Sequence, residues 1–185
     1  MKNFMVSSSL LKSFLYKQTI PTKEELTIIL DVVSDQDEKG KFIYLLGVLS
    51  RYNPNKGLTN NNHEFYINTL KAYSSILGLS ITEEDINDMA YCLYVVQEVN
   101  RSFSFENVHD NYQPDMIIKI EQILNKADKT DNIIYIIAAF RLASAFIGLT
   151  IDDFVSYQDT VNHCADFYLK HFNTIQQKYG EIIRV

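Results

Sequence analysis

Apolar residues recur every three or four positions along most of this chain, and residues suited to helix caps punctuate them, the pattern of successive amphipathic helices. Leu10, Leu11, Phe14 and Leu15 share one side of a first helix, capped by Ser8 or Ser9 and running to about Lys17. The stretch from Thr19 to Thr22, with Pro21, ends it. Thr22 and Glu25 then stand at capping-box spacing, in which each side chain satisfies the other residue's free backbone N–H. The second helix shows Leu26, Ile29, Leu30 and Val33 on one face. After a polar turn from Ser34 to Gly40, a third, strongly apolar helix covers about Lys41 to Arg51, and Asn53 to Gly57 form a loop that Asn60 to Asn62 extend.

A fourth helix is expected from about His63 to Leu77, stopped by Gly78, and a fifth from Glu83 to Ser102, capped by Thr82. Phe103 to Pro114 has no helical period and reads as an aromatic loop covering a core edge, with a binding loop as the minority reading. A short sixth helix follows from Asp115 to Lys126. The seventh starts at Thr130 or Asp131, and between Ile133 and Ile147 only Arg141 and Ser144 interrupt its apolar run. A helix apolar around its whole circumference must be enclosed by others, so this one is predicted to be central. The eighth carries Ile151, Phe154, Tyr157, Val161, Cys164, Tyr168, Phe172, Ile175 and Tyr179 as one stripe, which reads as a core face, and Gly180 is expected to end it.

The sequence therefore predicts an all-α fold: a single helical bundle of about seven or eight helices spanning residues 1–185, with 1–20 as a peripheral N-terminal helix. Only six glycines and three prolines occur, too few for the many turns of an all-β fold. An internal echo aligns Ser74–Glu83 with Ser144–Asp153 without gaps through Gly78 and Gly148. Both a weak internal duplication and independent reuse of common helix punctuation account for it.

The formal charge of −6 lacks the cationic footprint that phosphate backbones require, so nucleic acid is not expected as a partner. No signal-peptide pattern and no long uncharged apolar run point to a cytoplasmic protein without a membrane span. Cys92 and Cys164 have no metal-ligand spacing and read as buried free thiols, with a bridge between them left open. Asp35 to Leu46 lacks the bidentate acid of a calcium loop, and Lys56-Gly57-Leu58-Thr59 lacks the glycine order of a phosphate loop.

Chemistry is sparse. His63, His109, His163 and His171 are scattered. Asp159, His163 and Asp166 share a helix face at metal-compatible spacing, although solvated pairing along that face is the preferred reading. Arg141 is the anion or partner candidate: a charge in the most apolar helix must snorkel, pair with a carboxylate or bind an anion.

Gln97-Glu98-x-x-Arg101, followed by Asp128-x-x-Asp131 and Gly148-Leu149-Thr150-Ile151-Asp152-Asp153, resembles the all-α nucleoside-triphosphate pyrophosphohydrolases of the MazG-like group. That resemblance implies magnesium held by Glu98, Asp128 and Asp131 for attack on a phosphoanhydride, with Gln97 and Arg101 standing where the family has acids. Lys56-Gly57-Leu58-Thr59 through Glu64, with Leu77-Gly78-Leu79-Ser80, is similar to TerB-like helical domains. The leading expectation is different. Without a catalytic constellation, the acidic charge and twelve tyrosines suggest a small cytoplasmic interaction protein, an adaptor, inhibitor or immunity-type protein, with no cofactor. Its partner would be another protein or a second copy of the chain. A pyrophosphohydrolase, a TerB-like domain and a helical pocket for an apolar ligand stand as alternatives.

Overall fold

A computed structural model describes residues 3–51, 62–102, 105–147 and 157–183. These form eight α-helices: α1 Phe4–Tyr16, α2 Lys23–Ile29, α3 Glu38–Ser50, α4 Asn62–Leu77, α5 Glu83–Ser102, α6 Phe105–Ala127, α7 Ile133–Ile147 and α8 Gln158–Ile183, with a 3-10 turn at Leu30–Val33 after α2. The all-α bundle is as expected. The loop around Asn53 to Gly57, the Gly148 cap and the Ile151 to Phe154 start of the last helix lie outside the described residues.

The apolar run of α7 is the centre of the bundle. It packs against α3, α5, α6 and α8, and ten of its fifteen residues are buried. Asn132 starts it: the Asn132 Oδ1 accepts the Ile134 N–H at 3.1 Å, while the Thr130 hydroxyl accepts the N–H of Asn132 itself. One connected hydrophobic cluster draws residues from all eight helices.

Local signals account for several further boundaries. The Thr22–Glu25 capping box is formed, with both bonds present. Asp37 accepts the N–H of Gly40 at 2.8 Å and starts α3 three residues before the predicted Lys41. Gly78 sits at φ +66°, the left-handed conformation that glycine adopts without steric cost, and its N–H and that of Leu79 bond to Ser75 and Ser74 carbonyls to close α4. The Thr82 hydroxyl accepts the Asp85 N–H at the start of α5.

Four expectations need correction. The serine run does not cap α1; Asn3 does, accepting the Val6 N–H at 3.2 Å. Ser7 and Ser8 are instead buried inside the helix, and the Ser7 hydroxyl bonds the Ile29 carbonyl and, at 2.8 Å, the Tyr44 hydroxyl. Leu11 and Leu15 are fully buried, each worth about 1.5–3 kcal/mol of transfer free energy. The first helix is thus keyed into α2 and α3 rather than laid against them.

Second, residues 105–114 are helical and extend α6 through Pro114. A proline removes one intrahelical N–H bond, and here the helix spans the gap. Third, Gly180 lies inside α8, because Ile182 and Ile183 beyond it are buried against α3. There α8 passes so close that a Cβ on Gly47 would stand 3.4 Å from the Ile183 Cα. Fourth, the buried stripe of α8 runs through Cys164, Phe167 and Ile175, leaving Phe172 36% exposed.

Candidate functional site

The carboxylates that the pyrophosphohydrolase resemblance marks are not brought together. Lys126, near the end of α6, reaches Glu84 and Asp85 at 2.8 Å each, so Asp128 lies beside the start of α5. Glu98 is fourteen residues beyond Glu84 on that helix, about 21 Å along its axis at 1.5 Å per residue. Asp128 is engaged elsewhere, by Lys170 at 2.7 Å and His163 at 3.2 Å. Asp131 is exposed in the connection before α7. Gln97, the neighbour of Glu98, is buried and accepts the Tyr66 hydroxyl at 2.8 Å, a core contact. Among the described residues no group of three or more His, Cys, Asp or Glu side chains is placed to hold a metal ion.

The two cysteines are buried free thiols. Burial raises both thiol pKa values, that of Cys164 to about 12.

Arg141 lies in a distinctive corner. Its Nε donates to the Ser50 hydroxyl at 3.1 Å, and among the described residues it makes no ion pair with a carboxylate. Ser50 is buried at the last residue of α3 and donates in turn to the Gly47 carbonyl at 2.8 Å. Arg51 follows directly. Burial, and then the nearby charge of Arg141, lower the Arg51 pKa to about 10. Burial also lowers that of Arg141, and the acidic group whose field opposes this is the Tyr168 phenol. Tyr168 stacks on Phe140 with ring centroids 4.7 Å apart.

Two polar clusters escaped the sequence reading. Asp88 on α5 is only 4% exposed. One carboxylate oxygen takes Lys119 of α6 at 2.6 Å, and the other takes the Tyr135 hydroxyl of α7 at 2.8 Å and Lys126 at 3.5 Å. Burial works against its ionisation, but the Lys119 and Tyr135 hydrogen bonds and the two lysine charges outweigh burial and hold its pKa below the usual value. The second cluster is built on His163 of α8. Its Nδ1 lies 2.8 Å from Glu121 and its Nε2 3.2 Å from Asp128, so it bridges to α6 rather than pairing with Asp159 or Asp166 along its own helix. Burial would lower its pKa, but the two carboxylates prevail and raise it. The one sequence signal for the first cluster was an aspartate wedged beside Met89 and Ala90. His163 gave a signal only of face-sharing with its own helix.

Among the described residues the tyrosines contribute little exposed surface. Tyr44, Tyr66, Tyr73 and Tyr135 are core residues at 2% exposure or less. Tyr91, Tyr94, Tyr157, Tyr168 and Tyr179 are half-buried, and among the described residues only Tyr16 is a well-exposed tyrosine. Of the exposed large apolar side chains, Met5, Val6, Leu10, Tyr16, Ile20 and Ile28 fall in the first 28 residues, with Met5 at 81% and Ile28 at 68%, while Ile118 on α6 and Leu169 and Phe172 on α8 are exposed elsewhere. Residues 1–29 carry four lysines and two glutamates, whereas the rest of the chain carries thirteen basic and twenty-one acidic side chains. The apolar surface of α1 and α2 is therefore locally basic on an acidic molecule.

An open cleft of about 260 Å³ lies between α2 and α4, with Leu26 and Leu30 among its apolar walls and Lys23, Asp31, Glu38 and Lys41 among its polar ones. It is smaller than the ~300–1,000 Å³ typical of small-molecule pockets, and its polar lining gives the apolar-ligand alternative little support. No helix among the described residues is long and apolar enough to cross a membrane. Comparison with protein-family models, curated proteins and solved structures found no match for this chain.

Proposed function

We propose that this chain is a helical interaction protein that binds another protein through the outer faces of α1 and α2. The observation that carries this reading is the clustering of exposed Met5, Val6, Leu10, Tyr16, Ile20 and Ile28 within the first 28 residues. Soluble domains scatter such side chains singly, and their concentration marks contact surfaces. These helices are also held rigidly from beneath, by Leu11, Leu15 and the Ser7 bonds to Ile29 and Tyr44, so a partner meets a preformed surface with little ordering cost. The local lysine excess suits a partner whose apolar strip is rimmed by acidic residues, which would speed encounter and fix register. A second copy of the chain, acidic elsewhere, meets the same description.

The test is affinity capture from the native cell with a variant carrying Met5→Glu, Val6→Glu and Ile28→Glu, together with the absolute mass of the purified protein. All three side chains point away from the core, so helical content should be unchanged. A specific protein or self-association lost in the triple variant supports the reading. Capture that the variant leaves intact, or a monomer with no specific partner, removes it.

A further inference from the structure

The outer faces of α1 and α2 have opposite polar rims. On α1 the exposed Met5, Val6 and Leu10 are followed by Lys12 and, at the C-cap, Lys17, and no acidic residue lies between Phe4 and Lys17. On α2 the charge reverses. Ile28 is exposed, with Glu24 and Glu25 before it and Asp31 after it at helical-neighbour spacing, and all three carboxylates are exposed beside it. The two helices cannot slide past each other. The Ser7 hydroxyl of α1 bonds the Ile29 carbonyl of α2 and the Tyr44 hydroxyl of α3, and Leu11, Leu15, Leu26 and Ile29 are fully buried in one core. A basic apolar half and an acidic apolar half are thus fixed side by side.

We propose that the partner of this surface is a second copy of the chain, in a two-fold dimer that lays α1 of each protomer on α2 of the other. This rests on the reading of α1 and α2 as the contact surface and names what covers it. A foreign partner must supply an acid-rimmed apolar strip for α1 and a basic one for α2. A copy turned about a two-fold axis supplies both from the same pair of helices, because an isologous interface makes each contact twice, once in each direction. Met5, Val6 and Leu10 then cover Ile28 of the copy, and Lys12 and Lys17 meet its Glu24 and Asp31. Stacking α1 on α1 instead would set lysine against lysine and is disfavoured.

Sedimentation equilibrium of the full chain across the micromolar range at low salt tests this, with two charge-reversed variants: Lys12→Glu with Lys17→Glu, and Glu24→Lys with Asp31→Lys. Circular dichroism checks that each is folded. The wild type should dimerise. Each variant alone should dissociate about tenfold more readily, since like charges then face each other in both copies of the contact. An equimolar mixture of the two variants should recover wild-type dimerisation, because every reversed pair is again complementary. If one variant does not fold, the other mixed with wild type, where one of the two contacts is reversed, should fall between. A wild type that stays monomeric, variants that dimerise as well as the wild type, or a mixture no stronger than either variant alone overturns the proposal. The surface itself fails separately. A monomer that captures a foreign protein, and loses it with Met5→Glu, Val6→Glu and Ile28→Glu, keeps the surface and removes only the second copy as its partner.

Discussion

Replacing Asp88 by alanine tests the polar clamp that joins α5, α6 and α7 beside the central helix. The carboxylate is almost fully buried and holds three donors, but they are not equivalent. The Lys119 and Lys126 side chains are 37% and 34% exposed, so both can regain water when Asp88 is removed, and their share of the loss is small. The Tyr135 residue is 2% exposed, and its hydroxyl has no such recourse. Breaking a fully buried ion pair costs ~3–5 kcal/mol, and losing a hydrogen bond to a charged group costs ~1.5–3 kcal/mol. With the lysines discounted, Asp88→Ala should destabilise the fold by about 2–3 kcal/mol at pH 7. In a double-mutant cycle with Tyr135→Phe, the coupling should be about 1–2 kcal/mol.

The pH dependence has a definite sign. The folded carboxyl of Asp88 is held below the usual aspartate value of about 4, so its charge-dependent stabilisation is present above that value. It is lost as pH falls through the depressed folded value. Urea unfolding followed by circular dichroism at pH 7 and in increasingly acid buffer should show the gap between wild type and Asp88→Ala narrowing with acid. The reasoning is refuted by a loss under ~0.5 kcal/mol at pH 7, which would match an ordinary surface substitution. A gap that does not narrow in acid refutes it too, as does a Tyr135→Phe cost that is the same with and without Asp88.

Three further outcomes follow from the same geometry. His163 has a raised folded pKa, so its bridge between Glu121 and Asp128 contributes fully below the unfolded value of about 6.5 and is lost as pH rises through the folded value. His163→Gln should therefore cost more stability at pH 5.5 than at pH 8.5, and equal costs would contradict this assignment. Gly78→Ala should destabilise by about 1–2 kcal/mol through left-handed backbone strain alone, because nothing lies within 4 Å of the added Cβ. A neutral substitution, measured by denaturant unfolding, would argue against that φ. Cys92 and Cys164 should resist an aromatic disulfide reagent until the protein is unfolded, since burial both shields the thiols and suppresses their thiolates. Prompt reaction of either one in the native state would place it nearer the surface.

What was legible in the sequence was local. Helix period, the Thr22–Glu25 box and the Gly78 stop depend on residues within one or two turns, and each reappears in the structure. The errors arose where one local signal serves two uses. A serine run resembles an N-cap, but Ser7 is spent on a contact to Tyr44, 37 residues away. A glycine resembles a helix stop, yet Gly180 is simply carried through because Ile182 and Ile183 find a core beyond it. Tyrosines suggest an interface by composition, but four of them fill the core. The site residues were harder still. Asp88 meets Lys119 31 residues later and Tyr135 47 residues later, and no spacing rule encodes a pairing across three helices. Arg141 alone stood out beforehand, because a charge in an apolar helix conflicts with its neighbours wherever the chain folds.

The proposed binding surface is tested most directly by contact mapping in the native cell. A photoreactive benzophenone side chain replaces Ile28, on the exposed face of α2, or Asn173, which is exposed on α8. A contact made through α1 and α2 predicts a discrete crosslinked species, to another protein or to a second copy, from position 28 and none from position 173. Equal crosslinking from both positions, or crosslinking from position 173 alone, would contradict it.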